Sequence, residues 1–113
     1  MTATSRGDVW LVDLPDAVGR EQRGRRPALV ISTNELNYGP STLLIVIPIT
    51  STDRRIRAHV SISPPEGGLK KKSFIMSENV RSISKKRLVR RLGGVTNATL
   101  AEVEDRLRIL MDL

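Results

Sequence analysis

The segment Leu43–Thr50 (LLIVIPIT) constrains the fold most. Its seven consecutive apolar residues, Leu43–Ile49, are far short of the ~20 that cross a bilayer as a helix. They read as a β-strand covered on both faces. Such a strand needs neighbours, and the chain offers them as short apolar segments separated by turn residues. Val9–Leu14 is β-branched, aromatic and aliphatic and stops at Pro15. Pro27–Ser32 begins with a proline, which a strand tolerates at its first residue. Ala58–Ser63 alternates, with Val60 and Ile62 set against His59, Ser61 and Ser63, as a half-exposed strand does. Ser73–Ser77 is a further short strand that Asn79–Ile83 continues or kinks. Ser84 caps one helical turn through Leu88, and Leu88–Val95 returns as a last strand. The segments 16–26, 34–41, 51–57 and 64–68 are connections, the third read as a mobile basic tip.

The end of the chain follows another period. In Thr96–Leu113, Leu100, Val103, Leu107, Leu110 and Met111 recur at helical spacing, with charged residues between them. Thr96 is a good N-cap, and Gly93–Gly94 reverses the chain just before it. Several short strands and one amphipathic helix predict a mainly β fold, a strongly curved antiparallel sheet or small barrel covered by the C-terminal helix. At 113 residues the chain suits one domain, residues 1–113. Aromatics are 3% of it, so aliphatic side chains must fill the core.

Charge narrows the function. Lys and Arg number 19 against 12 Asp and Glu, a net charge of +7. The C-terminal eighteen residues carry the opposite sign, so the basic surface belongs to the body of the domain. Five basic runs lie there: Arg20–Arg26, Arg54–Arg57, Lys70–Lys72, Lys85–Arg87 and Arg90–Arg91. One run would suit a merely soluble surface; five point to an anionic partner, nucleic acid before membrane. Few aromatics leave little for base stacking, so base preference must come from hydrogen-bonding side chains. The lack of cysteine excludes disulfides, thiol catalysis and Cys-ligated zinc, and a single His makes a His-based metal site or triad improbable. Met1–Arg6 is polar with no apolar segment after it, so the expected location is the cytoplasm, without membrane attachment. Three short matches are polar turns: Arg6-Gly7-Asp8, Asn97-Ala98-Thr99, and Gly67-Gly68 before the lysines, which lacks phosphate-loop spacing.

The most specific feature is the loop Gly19-Arg20-Glu21-Gln22-Arg23-Gly24-Arg25-Arg26-Pro27. Pro27 biases Arg26 toward extended backbone, which aims its guanidinium from a strand edge. With Arg6-Gly7-Asp8-Val9-Trp10 before it, and Pro27-Ala28-Leu29-Val30-Ile31-Ser32 after it, this loop resembles the MazF/PemK toxins of bacterial toxin–antitoxin pairs. The likeness continues through Ile47-Pro48-Ile49-Thr50-Ser51, Ser77-Glu78-Asn79-Val80-Arg81-Ser82-Ile83 and Lys86-Arg87-Leu88, then Leu92-Gly93 and the terminal helix.

The resemblance implies an SH3-like or CcdB-like barrel, a homodimer, and metal-independent cutting of single-stranded RNA with no cofactor. It places the chemistry on Arg26 and Thr50, with Glu21 at the same groove. Some members carry an Arg two residues before the acid matching Glu78; this chain has Met76 there, so a mechanism using that Arg is not open to it. The candidate RNA-binding residues are Arg20, Glu21, Gln22, Arg25, Ser51, Arg54, Arg55, Arg57, His59, Glu78, Asn79 and Arg81. His59 is either a base or an ordinary surface residue. The expected inhibitor is a small antitoxin with an acidic, flexible segment. Two rivals are a non-catalytic nucleic-acid-binding barrel and a gyrase-directed toxin of the same fold.

Overall fold

The computed structural model describes residues 3–14 and 24–113. Seven strands and two helices follow in the order β1 (Asp8–Leu14), β2 (Gly24–Val30), α1 (Asn34–Tyr38), β3 (Leu43–Thr50), β4 (His59–Ile62), β5 (Ser73–Met76), β6 (Arg81–Ser84), β7 (Leu88–Gly94) and α2 (Asn97–Met111). All pairings are antiparallel: β7 lies beside β1, β1 beside β2, β2 beside β3, and β5 between β3 and β4. β3 carries two partners along one edge, β6 over Leu43–Val46 and β5 at Ile49–Thr50. Among the described residues β4 and β7 are not paired to each other, so the sheet curls without closing into a hydrogen-bonded barrel.

The two-residue period of a strand explains why both faces are filled. Val9, Leu29, Ile47 and Ile49 point into one cluster, joined there by Val60, Ile62, Ile75 and Val103 of α2. Their alternates Trp10, Val12, Leu14, Ala28, Val30, Leu44 and Val46 form a second cluster with Ile83. Burial of each large aliphatic side chain stabilises by roughly 1.5–3 kcal/mol. Leu43–Thr50 is a strand with the expected bounds, and its residues from Val46 onward are all buried.

Several elements differ from expectation. β2 starts at Gly24, so Pro27 lies inside the strand; pairing to β3 begins only at Ala28, and at Pro27 the strand is paired to β1 alone. Within the expected 34–41 connection, Thr33 caps the short helix α1, its hydroxyl accepting from the Leu36 N–H at 3.3 Å. Residues 73–83 do not form one kinked strand. Ser77–Asn79 is a 3-10 turn that takes β6 away from β5 to pair with β3.

The remaining joints hold as their residue types require. Ser84 caps the turn Lys85–Arg87, accepting from the Lys86 N–H at 3.2 Å. The Thr96 hydroxyl accepts from the Thr99 N–H at 3.1 Å and starts α2. A carboxylate reinforces that end: Glu66 Oε2 accepts from the Thr96 N–H at 3.0 Å and from the Thr99 hydroxyl at 2.6 Å. Glu66 belongs to the 3-10 turn Glu66–Gly68, in which Gly68 has φ +68° and packs so tightly that a Cβ would lie 1.9 Å from the Leu92 carbonyl oxygen. Of the apolar residues of α2, Val103 is buried, Leu100 and Leu107 are half-buried, and Leu110 and Met111 are exposed. Neither helix is long and apolar enough to cross a membrane.

Candidate nucleic-acid interface

Two clefts open beside the C-terminal half of β3. The Ala28–Pro48 pair is the last rung of the β2–β3 ladder at this end, and Arg26 and Thr50 each lie two residues beyond it on their own strands. Pleat alternation sets both on the same face as Ala28 and Pro48. Arg26 is half-buried and Thr50 is 2% exposed. The Thr50 hydroxyl oxygen accepts from the Thr52 N–H at 3.2 Å, which tucks the chain into the loop 51–57. The cleft here has a volume of about 240 Å³, and Arg26, Pro27, Thr50, Ser51, Lys70 and Lys71 line it together with Ile49, Leu69 and Ser73. Ser73 holds the lysine segment by donating its hydroxyl to the Lys71 carbonyl at 2.9 Å. Among the described residues three cations and no carboxylate line this space, a charge balance that suits a phosphodiester.

The second cleft, about 270 Å³, lies against Pro48 and Met76 and is lined by Glu78, Asn79 and Arg81 with Leu14 and Val80. The 3-10 turn between β5 and β6 presents Glu78 and Asn79, and Arg81 opens β6 opposite Val46. An acceptor, an amide and a guanidinium thus share one recess with an apolar floor. Such a set can read base edges by hydrogen bonds.

His59 sits behind this recess rather than on the surface. It is paired with Met76 across β4 and β5, and its side chain is 3% exposed. Its Nε2 lies 2.8 Å from Glu78 Oε2, while Nδ1 is buried with no hydrogen-bond partner. The alternation of 58–63 made His59 a solvent-facing position; the turn carrying Glu78 folds over it. The imidazole therefore reaches the cleft through Glu78.

The other sequence candidates are dispersed. Arg54, Arg55 and Arg57 are exposed on the loop after Thr50 and line neither cleft. That loop is shaped by Arg55, at φ +54° with its N–H on Asp53 Oδ1 at 2.9 Å, and by Arg106 Nε donating to the Arg57 carbonyl at 3.0 Å. Arg25 is exposed and lies opposite Asp13 in the β1–β2 register, on the other face of β2 from Arg26. Arg20, Glu21 and Gln22 lie outside the described residues. Lys70 and Lys71 were visible in the sequence only as part of a charge run, with nothing to assign them to the Arg26 cleft. Ser77, named in the sequence only as part of the stretch matching the family, is buried and its Oγ has no partner. Among the described residues no group of three His, Asp or Glu side chains gathers to hold a metal ion.

Comparison with known proteins gives these clefts a context. The family model described as the PemK-like, MazF-like toxin of type II toxin–antitoxin systems matches residues 5–111. The endoribonuclease MazF9 of Mycobacterium tuberculosis is 34% identical over 113 residues, covering 96% of each chain. The crystal structure of MazF from Deinococcus radiodurans superposes with a TM-score of 0.87 at 26% identity, covering 100% of both chains. A MazE–MazF structure from the same organism gives a TM-score of 0.79 at 30% identity over 100% of this chain and 99% of that one. With its sequence matched almost end to end and its fold shared throughout, the chain belongs to the PemK/MazF family of type II toxin–antitoxin toxins.

Proposed function

We propose that this protein is a sequence-selective, metal-independent endoribonuclease that cuts single-stranded RNA in the cytoplasm as the toxin of a two-component pair. One observation carries the reading: Arg26 and Thr50, each two residues beyond the end of the β2–β3 ladder, line one cleft together with Lys70 and Lys71. The endoribonuclease relatives support the same activity.

The reaction asks little of the protein. RNA supplies its own nucleophile, the 2′-OH next to the scissile phosphate. Attack on phosphorus gives a 2′,3′-cyclic phosphate, and the 5′-oxygen leaves as a hydroxyl. The protein aligns the hydroxyl and stabilises the charge that grows on the phosphoryl oxygens. Arg26 suits that task because its guanidinium is permanently charged and presents a planar fork to phosphate. For the same reason it is a poor proton donor, so we assign it to charge stabilisation. Thr50 binds a phosphate oxygen or orients the 2′-OH. Lys70 and Lys71 hold the neighbouring phosphate.

Members of this family are solved with their antitoxins, and we assign this chain a homodimeric state and an acidic antitoxin whose flexible segment covers the RNA groove. Incubation of the purified protein with RNA in EDTA, with the new ends mapped, tests the function. Cyclic phosphate and 5′-hydroxyl ends at a recurrent short sequence are expected. RNA binding without cleavage would favour a non-catalytic barrel, and inhibition of gyrase supercoiling without RNA cleavage would favour a topoisomerase poison.

A further inference from the structure

Resting on that RNA-cleaving reading, we propose that His59 is a positioning residue that acts through Glu78, holding this carboxylate over the cleft of Asn79 and Arg81 as an acceptor for a base amino group. The imidazole is too buried to meet RNA itself, with 3% of its side chain exposed, whereas 34% of the Glu78 side chain is exposed. One bond joins them, Nε2 to Oε2 at 2.8 Å. A carboxylate only accepts, so Nε2 is the donor. Nδ1, on the other side of the ring, is buried and finds no partner. A ring kept only for packing would be better replaced by an apolar one, which leaves no buried nitrogen unpaired. The nitrogen that is satisfied is the one that faces the cleft residue.

The backbone around the pair is fixed on both sides. His59 is locked opposite Met76 in the β4–β5 ladder, and the Glu78 turn is closed by the Val80 N–H on the Ser77 carbonyl at 3.3 Å. Only the Glu78 side chain has freedom left, and His59 removes it by holding one carboxylate oxygen. Glu78 lines the cleft with Asn79 and Arg81, and the bond to His59 engages only Oε2, which leaves Oε1 to accept from a ligand. Carboxylates accept from exocyclic amino groups such as cytosine N4, and a preset rotamer makes that choice sharper. His59 therefore governs which RNA is cut, while Arg26 and Thr50 do the cutting.

A double-mutant cycle on His59→Leu and Glu78→Ala decides the matter, using the mapped RNA and versions with one base changed. His59→Leu should lower kcat/KM on the preferred RNA by about 10-fold, mainly through KM, and narrow the gap between preferred and altered substrates. In the Glu78→Ala background the same change should cost nothing more. His59→Gln, whose amide nitrogen takes the place of Nε2, should restore activity to within about 3-fold; His59→Asn, whose amide ends near Nδ1, should not. Equal losses from His59→Leu in both backgrounds would overturn the proposal, as would Gln performing no better than Asn. If His59→Leu does not fold, the Gln and Asn variants carry the test alone. Failure of the wild-type protein to cleave any RNA would strike the functional reading instead. The imidazole ¹⁵N shifts, recorded with and without Glu78→Ala, would then decide the contact: unchanged Nε2 shifts refute it.

Discussion

Replacing Arg26 separates binding from catalysis because its cleft holds two other cations. Arg26→Ala leaves the β1–β2 ladder intact, since Arg26 is paired to Val12 through its backbone and belongs to neither hydrophobic cluster. The fold should lose no more than about 0.5 kcal/mol, as for a substitution outside the core. Lys70 and Lys71 remain to hold the phosphate, so KM should rise only about 3-fold and the salt slope of RNA binding should fall by about 0.7, the share of one single-strand phosphate contact. Turnover should drop by about 10²–10³, the usual cost of removing one preorganised donor at a developing oxyanion. Arg26→Lys should restore KM and the slope but not kcat, because an ammonium keeps the charge and loses the planar fork. The assay is steady-state cleavage of a short fluorescent RNA in EDTA, with thermal melting run on each variant. A folded Arg26→Ala protein with kcat within 3-fold of wild type and a large rise in KM would refute the assignment, leaving Arg26 a phosphate anchor and nothing more.

Lys70→Ala with Lys71→Ala should give the mirror image, with KM up about 10-fold, kcat within about 2-fold and a salt slope smaller by about 1.4, checked in the same assay and by titration at several salt concentrations. Glu66→Ala should cost about 1–2 kcal/mol, because its carboxylate serves the Thr96 N–H and the Thr99 hydroxyl at the start of α2; a melting temperature lower by about 4–8 °C is the readout. An acidic peptide should displace uncleavable RNA, less so as salt rises, and reversing Arg54, Arg55 and Arg57 to Glu should weaken the peptide; simultaneous binding of both ligands without mutual loss of affinity would show that they do not share the groove.

Local chemistry made much of the fold legible. Thr96 and Ser84 cap the turns their side chains suit, and the apolar run 43–50 lies where a strand covered on both faces must lie. Arg26 and Thr50 were singled out through a resemblance to a family, and the fold brings both to the lining of one cleft. What stayed hidden depends on which segments meet in space. Pro27 looked like a strand start because proline removes a ladder donor, yet only one neighbouring strand is present at that point. Residues 73–83 carry a strand-like pattern on both sides of Ser77–Asn79, and nothing local says that the second half pairs with β3. His59 has the alternation of a surface residue until that same turn folds Glu78 over it. Lys70 and Lys71 reach the Arg26 cleft because the Glu66–Gly68 turn docks on Leu92 with no room for a side chain at Gly68.

These contacts between distant segments converge on one strand. Pro48 lines the cleft of Glu78, Asn79 and Arg81, and Thr50, two residues on, lines the cleft of Arg26. Along an extended strand that is roughly 7 Å. One RNA strand can therefore present a base to the first cleft and a phosphate to the second without bending back. The strand between them is buried from Val46 to Thr50, with β2 on one edge and β5 and β6 on the other, so the two clefts cannot drift apart. On the roles proposed for the two clefts, selection of a sequence and cleavage at a fixed offset from it would share a common cause in the stiffness of β3. Stiffness of this kind requires both faces of the strand to be filled, as the apolar run 43–49 demands.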